Sequence, residues 1–349
     1  MPENNVYVGL TAVNRRRGSK VHATPITLDE LGFTGSGLHR PECVLSGRKG
    51  ALYASDWRGG VTILSPDGSQ REVLAREGGP LAEDGAPPVQ PNGFAIDRDG
   101  SFLLANLGDA GGVWRLHRDG RLEPYCLEVE GEPLPACNYV LLDREGGAWI
   151  SVSTRRRPRA LAYRPDVADG FVVRVDRRGA RIVADGLGYT NEVRLDASGG
   201  RLLVVETFAR RLSSFRIDAG FSLSERRTVA AFGAGTFPDG LAVDVEGGLW
   251  VTSVVSNRVI RIGPDGEAQV LIEDHDPARL ATVEEAFLAG KMGRPHLDTS
   301  LGTRLHNVSS LAFGGPDGRT AWLGCLLSDS LATFRSPVAG LPPSHWEWT

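Results

Sequence analysis

The sequence predicts an all-β protein: a six-bladed β-propeller closed by an N-terminal strand, with one helical insert between blades five and six. Three observations carry this expectation. A phrase of turn, short apolar strand, Gly-rich hairpin and second strand recurs about six times, at a period of roughly 46–53 residues with one longer gap, as blade repeats do. The strand runs are about five residues long and separated by turn residues. A second hairpin follows most copies, at Pro66-Asp67-Gly68, Asp119-Gly120, Arg178-Gly179 and Pro264-Asp265-Gly266, so each unit offers four strands. A β-sandwich or a pair of all-β domains is the alternative, but neither produces a fixed period readily.

The clearest copy is Phe237-Pro-Asp-Gly-Leu-Ala-Val-Asp-Val-Glu-Gly-Gly-Leu-Trp-Val251. The same phrase starts at Pro91-Asn92 and runs through Asp97. It starts again at Cys137-Asn138, running through Asp143 to Trp149, and at Thr190-Asn191, running through Asp196. Looser copies begin at Glu42 and Asn307. One propeller domain spanning 1–349 is therefore expected, its blades starting near 42, 92, 138, 191, 239 and 307, with an insert over 275–305.

Taken in order, residues 1–40 precede the repeats and hold two candidate strands, Val6–Leu10 and Val21–Leu28. The last repeat ends after three strands near Phe334. An N-terminal strand should therefore complete blade six, because an open sheet edge invites aggregation. Trp57, just past a strand of blade one, is either a pocket wall or an inter-blade packing residue. Asn106 stands after the second strand of blade two, where it can face the channel. The run Thr154-Arg-Arg-Arg-Pro-Arg159 reads as a solvated loop, with a substrate-carboxylate contact as the sharper alternative. Glu206 is expected to pair with Arg210 or Arg211. In the insert, Asp276 caps a helix, Pro277 occupies its first turn and Gly290 stops it, with Leu280, Val283, Phe287 and Leu288 on one face. This helix either covers the funnel or packs on the outer rim. The tail after Pro337, rich in Trp and Pro, should pack across the propeller or make a subunit contact.

The 349 residues carry a formal net charge of -4, which implies no strong field for nucleic acid. No stretch is long and apolar enough for a membrane helix, and Met1–Asn5 does not open a signal peptide. Cys43, Cys126, Cys137 and Cys325 show no CxxC pairing. Reduced, mostly buried thiols and a cytoplasmic location are the plain reading.

One repeat position holds Glu42, Asn92, Asn138, Asn191, Asp239 and Asn307. The first strand of each blade lines the central channel, so residues at its head converge at one mouth. Two carboxylates and four amides there suit a hard divalent cation such as Ca²⁺, Mg²⁺ or Mn²⁺. Turn capping would explain Asn and Asp at such positions, but not Glu42. His306 adjoins this ring and has the chemistry of an acid or base near neutral pH, or of a structural hydrogen-bonder.

Phe237-Pro-Asp-Gly-Leu-Ala-Val-Asp244, Asn191 with Asp196, Asn138 with Asp143 through Trp149, and Phe313-Gly-Gly-Pro-Asp317 together resemble the SMP-30/gluconolactonase/luciferin-regenerating-enzyme-like family of six-bladed propellers. Val205-Glu-Thr-Phe-Ala-Arg-Arg211 is similar to its strictosidine-synthase-like relatives. The resemblance covers about residues 40–335. It implies one divalent metal ion, Ca²⁺ first and Zn²⁺, Mn²⁺ or Mg²⁺ as alternatives. Glu42, Asn191 and Asp239 would be its ligands, with Asn138 contacting substrate. It implies hydrolysis of a lactone or related ester, with Asp239 as general base. Asn92 and Asn307 would complete the substrate-binding surface.

The chain departs from the sugar-lactonase pattern in blade three. Ala136 stands where those members tend to carry Arg, and Tyr139 where they carry an acidic residue. That favours a less polar small-molecule substrate, for which Tyr139, Tyr189, Phe208 and Phe237 are candidate walls. A cyclase, isomerase or C–C bond-forming enzyme on the same scaffold, and a non-catalytic ligand-binding propeller, are the rival readings.

Overall fold

A computed structural model describes residues 24–76, 78–79, 87–299 and 302–349. Six four-stranded antiparallel sheets follow one another along the chain, each strand pairing with the next. Their innermost strands are Val44–Ser46, Pro91–Ile96, Cys137–Leu142, Thr190–Leu195, Phe237–Val243 and Val308–Gly314. These strands are almost wholly buried, because each faces the channel on one side and its own blade on the other. Together the sheets form a six-bladed β-propeller.

Blade six is closed by a strand from the N-terminal arm, as expected, but by a later segment. Gly32–Thr34 pairs with Leu331–Arg335, with Gly32 opposite Thr333. Val6–Leu10 lies outside the described residues, as does the start of Val21–Leu28. The rest of that second segment leads into a 3₁₀ turn at Leu28–Glu30. The closing strand is three residues long and two of them are exposed, so it leaves no apolar alternation to read. The Pro- and Gly-rich link from 78 to 88 falls mostly outside the described residues.

In blades three and five the Asp that follows the inner strand ties its hairpin together. Asp244 accepts from the Gly248 amide (2.7 Å), from Trp250 Nε1 (2.9 Å) and from Arg261 Nε (2.9 Å). Asp143 accepts from the Gly147 amide at 2.8 Å and pairs with Arg174 at 2.5 Å, while Arg174 stacks on Trp149. The recurring Asp–Gly-Gly–Trp phrase is therefore a folding device.

The helix Pro277–Leu288 has the expected cap, Asp276 accepting from the Arg279 amide at 2.9 Å. Leu280, Val283 and Phe287 are buried, whereas Leu288 is 66% exposed and does not belong to the packed face. The helix packs on Tyr163, Tyr189, Phe208 and Phe237, on the propeller face that carries the heads of the inner strands. Arg210 fastens it through Glu284 at 2.8 Å and lies over Phe237 and Phe287.

The C-terminal tail crosses the opposite face. Leu341 donates its amide to Val243, Ser344 its hydroxyl to Leu142, and Trp348 its indole N–H to Ile96. His345 Nε2 is 3.0 Å from the Ser46 carbonyl. These partners are at the ends of inner strands from blades five, three, two and one. The tail thereby caps a cavity of about 450 Å³ at that end of the channel. All four cysteines are free and buried.

Candidate functional site

The inner strands of blades two to six begin irregularly. The pairing register shifts between Pro91 and Phe94, Cys137 and Tyr139, Thr190 and Val193, Pro238 and Leu241, and Val308 and Ser310. Such bulges re-aim a side chain. In five blades they hold Asn92, Asn138, Asn191, Asp239 and Ser309, and blade one brings Glu42 to the same mouth. Ser309, rather than Asn307, therefore stands at the ring position of blade six. Asn307 lies two residues earlier and is committed to backbone: its Oδ1 accepts from the Val255 amide at 2.8 Å and its Nδ2 donates to the Leu297 carbonyl at 2.5 Å. This copy of the repeat is a looser one, and its Asn stands two residues before the bulge instead of inside it.

Glu42, Asn92, Asn138, Asn191 and Asp239 are all buried, none above 7% exposed. Asn92 Nδ2 donates to the Asn138 carbonyl (3.1 Å) and to its side-chain oxygen (3.3 Å). Asn191 Nδ2 donates to Thr207 Oγ1 at 3.0 Å, and the Asn191 side chain also hydrogen-bonds Asp239. Arg40, in a left-handed backbone conformation and stacked 4.1 Å from the Trp57 ring, contacts Glu42 Oε2 at 3.2 Å. Trp57 thus supports the arginine that meets the ring. Asn106, by contrast, organises its own loop through Gln90, Gly108 and Gly111.

Burial, then the charges of Glu42 and Glu192, push the Asp239 carboxyl well above its ordinary range. Glu192 follows Asn191 and is raised to about 7, chiefly by burial, although Arg194 contacts it at 2.9 Å. Sequence reading missed Glu192, Arg194 and Arg40. The first two form an internal ion pair just below the ring, signalled only by two charged residues inside an otherwise apolar inner strand. Tyr139 is on this lower level too, under the Arg194 guanidinium at 4.5 Å and against Gly93, where a Cβ would collide with its ring. Tyr189 belongs to the aromatic cluster on the mouth, 5.4 Å from Tyr163 and 4.7 Å from Phe208. His306 lines a separate depression with Phe33, Arg304 and Asp329. Glu206 makes the expected pair with Arg211 at 2.7 Å and adds Arg226 at 3.0 Å, while Arg210 turns to the insert.

Among the described residues, no three His, Cys, Asp or Glu side chains converge as a metal site. The ring offers a different donor set: two carboxylates, three amides and Ser309. Asn92 Oδ1 is buried there without a hydrogen-bond partner. An orphaned acceptor beside two crowded carboxylates is an arrangement that a hard, oxygen-seeking cation relieves. The residues present fit such an ion.

These features define a class: a six-bladed propeller with a buried ring of oxygen donors at one channel mouth. Residues 40–279 match the model of the SMP-30/Gluconolactonase/LRE-like region, and the chain belongs to that family. It is 27% identical over 158 residues to protein STRICTOSIDINE SYNTHASE-LIKE 13 of Arabidopsis thaliana, covering 44% of this chain and 36% of the relative. It is 26% identical over 206 residues to the 6-deoxy-6-sulfogluconolactonase of Pseudomonas putida, covering 56% of this chain and 61% of the relative. The matches thus span about a third and three fifths of these relatives. The calcium-binding protein regucalcin of Agrobacterium tumefaciens shares the fold, with a TM-score of 0.60 at 16% identity over 88% of this chain and 96% of that one. No described helix is long and apolar enough to cross a membrane.

Proposed function

We propose that the chain is a divalent-cation-dependent hydrolase of a lactone or related ester, working at the ring formed by Glu42, Asn92, Asn138, Asn191 and Asp239. The observation that carries this reading is the buried pair of carboxylates, Glu42 and Asp239, beside the partnerless Asn92 Oδ1. Glu42, Asn191 and Asp239 are the residues to hold the ion, with Ca²⁺ the first candidate. When bound, it supplies Lewis-acid polarisation of an acyl oxygen, a contribution of several kcal/mol.

The chain's own groups do the rest. Asp239, ionised beside the cation, would accept the proton of an attacking water. The Asn92–Asn138 hydrogen bond fixes both amides so that they orient the carbonyl. Tyr189 and its aromatic neighbours exclude water at the mouth. His306 and Asn307 have no part in this reading. Family membership and likeness to a curated lactonase support it.

A second reading, another carbonyl chemistry such as cyclisation or C–C bond formation, is favoured by the replacement of the sugar-lactonase residues at Ala136 and Tyr139. The experiment is metal content of the wild type, Glu42→Ala and Asp239→Ala, with a panel of small lactones and aryl esters. About one divalent ion per chain, lost together with hydrolysis in both variants, is the expected result. Bound ion without turnover of any ester moves the assignment to the second reading. No ion after addition of Ca²⁺, Mn²⁺ and Zn²⁺ refutes the metalloenzyme.

A further inference from the structure

Three arginines from distant parts of the chain act on Glu42 of the ring, Arg40 by contact and Arg159 and Arg294 through their charges. Arg40 comes from the segment before blade one and touches Glu42. Arg159 ends the loop after the second strand of blade three and reaches across to blade two, donating to the Leu107 carbonyl at 3.0 Å. Leu107 in turn donates its amide to Gln90, which stands just before Pro91 and Asn92. Arg294 is brought in by the insert, whose short helix is tied to blade six through Asn307 and the Leu297 carbonyl. Arg294 pairs with Asp298 and hydrogen-bonds Tyr163. The charges of Arg159 and Arg294 act on Glu42 and on each other, and both act on Arg40.

Like charges are costly to gather at a half-buried mouth. Arg40 has Glu42 and Arg294 has Asp298. Among the described residues Arg159 has no carboxylate within contact, and its Nε is buried without a hydrogen-bond partner. With Asp239 ionised, three guanidinium groups face three carboxylates. A bound divalent cation would leave the mouth two charges positive. A fork of guanidinium N–H groups matches a planar or tetrahedral oxyanion.

We propose that Arg159, with Arg294 and Arg40, forms an anion subsite above the ring, so that the ligand carries a carboxylate, sulfonate or phosphate group. This inference rests on the hydrolase reading only for the ring being where the ligand reacts. The subsite also resolves the departure in blade three. Recognition of a polar substrate moves from Ala136, which cannot supply it, to arginines contributed by the blade-three loop and the insert. Arg159 is a binding residue here, reading charge.

The test separates the subsite from the reaction. Inorganic sulfate is titrated calorimetrically into Ca²⁺-loaded wild type, Arg159→Met, Arg294→Met and Arg159→Lys at low and raised NaCl. Binding should weaken at least about tenfold in both Met variants and recover in part in Arg159→Lys. Sulfate that binds all four proteins alike, or none, overturns the proposal whatever the lactones do. In parallel, kcat/KM is compared for 5-oxotetrahydrofuran-2-carboxylate and γ-valerolactone, the same ring bearing a carboxylate or a methyl group. A preference of at least about tenfold for the carboxylate, falling toward unity in Arg159→Met, supports the subsite. Equal use of both lactones in wild type and variant overturns it while leaving the hydrolase intact. Sulfate binding lost in the Met variants with neither lactone hydrolysed supports the subsite and counts against the hydrolase.

Discussion

Asp239 heads the inner strand of blade five and Asp244 follows its last residue. Both are buried, and their surroundings are opposite. Asp244 is held by two backbone amides of its hairpin, an indole N–H and the Arg261 guanidinium. Asp239 faces the charges of Glu42 and Glu192, with the Asn191 amide as its hydrogen-bond donor and only the more distant field of Arg40 as relief. The first carboxylate is satisfied by the fold and serves the fold. The second is left in want of positive charge, which is how a binding site differs from a structural network of the same residue type.

The largest expected effect tests the structural end. Asp244→Ala removes the acceptor of Trp250 and of Arg261 Nε, leaving Arg261 only the more exposed Glu246, and should cost about 3–5 kcal/mol in urea unfolding. Asp239→Asn removes one of several crowded charges, and in cation-free protein should leave stability unchanged or higher. Equal destabilisation by the two changes would break the distinction. The same Asp239→Asn change should slow hydrolysis by about 10²-fold or more, measured with the best substrate of the panel.

An acid-sensitive site sits on the opposite face. Burial holds the His345 pKa down at about 4, with Arg194 adding to that and the bond to the Ser46 carbonyl opposing it. The unfolded chain takes up a proton near pH 6.5 that the native tail refuses. Stability is therefore full above pH 6.5 and declines as pH falls to about 4, by about 3 kcal/mol in all. Denaturant titrations of wild type and His345→Gln should differ in slope across that window alone. A parallel pH dependence in both proteins would show that His345 is protonated in place.

Calcium at a hundred times its dissociation constant should stabilise the wild type by about 2.7 kcal/mol, and Glu42→Gln by much less. Undiminished stabilisation in Glu42→Gln would remove Glu42 from the ring's function. The smallest effect is at the exposed Arg48–Glu347 pair, 2.9 Å apart, where Arg48→Ala should change stability by about 0.5 kcal/mol or less. A larger loss would mean that the tail depends on this contact more than on its buried bonds.

The amino-acid sequence by itself determined the architecture. A period of one blade, with turn residues at fixed offsets and an Asp–Gly-Gly–Trp phrase in two copies, is local information, and local information survives in a linear string. The same locality made Glu42, Asn92, Asn138, Asn191 and Asp239 readable as one set, because they share a phase. Tertiary structure decided the rest. The bulge of blade six holds Ser309, two residues past the Asn307 expected there, and the loose copy of the repeat carries no local signal that fixes its phase. A three-residue strand closed the last blade, too short to alternate. Glu192 came to oppose Asp239, and Arg40, Arg159 and Arg294 came together from three separate segments. Electrostatic encounters of that kind depend on distance in space, which only the closed ring of blades defines.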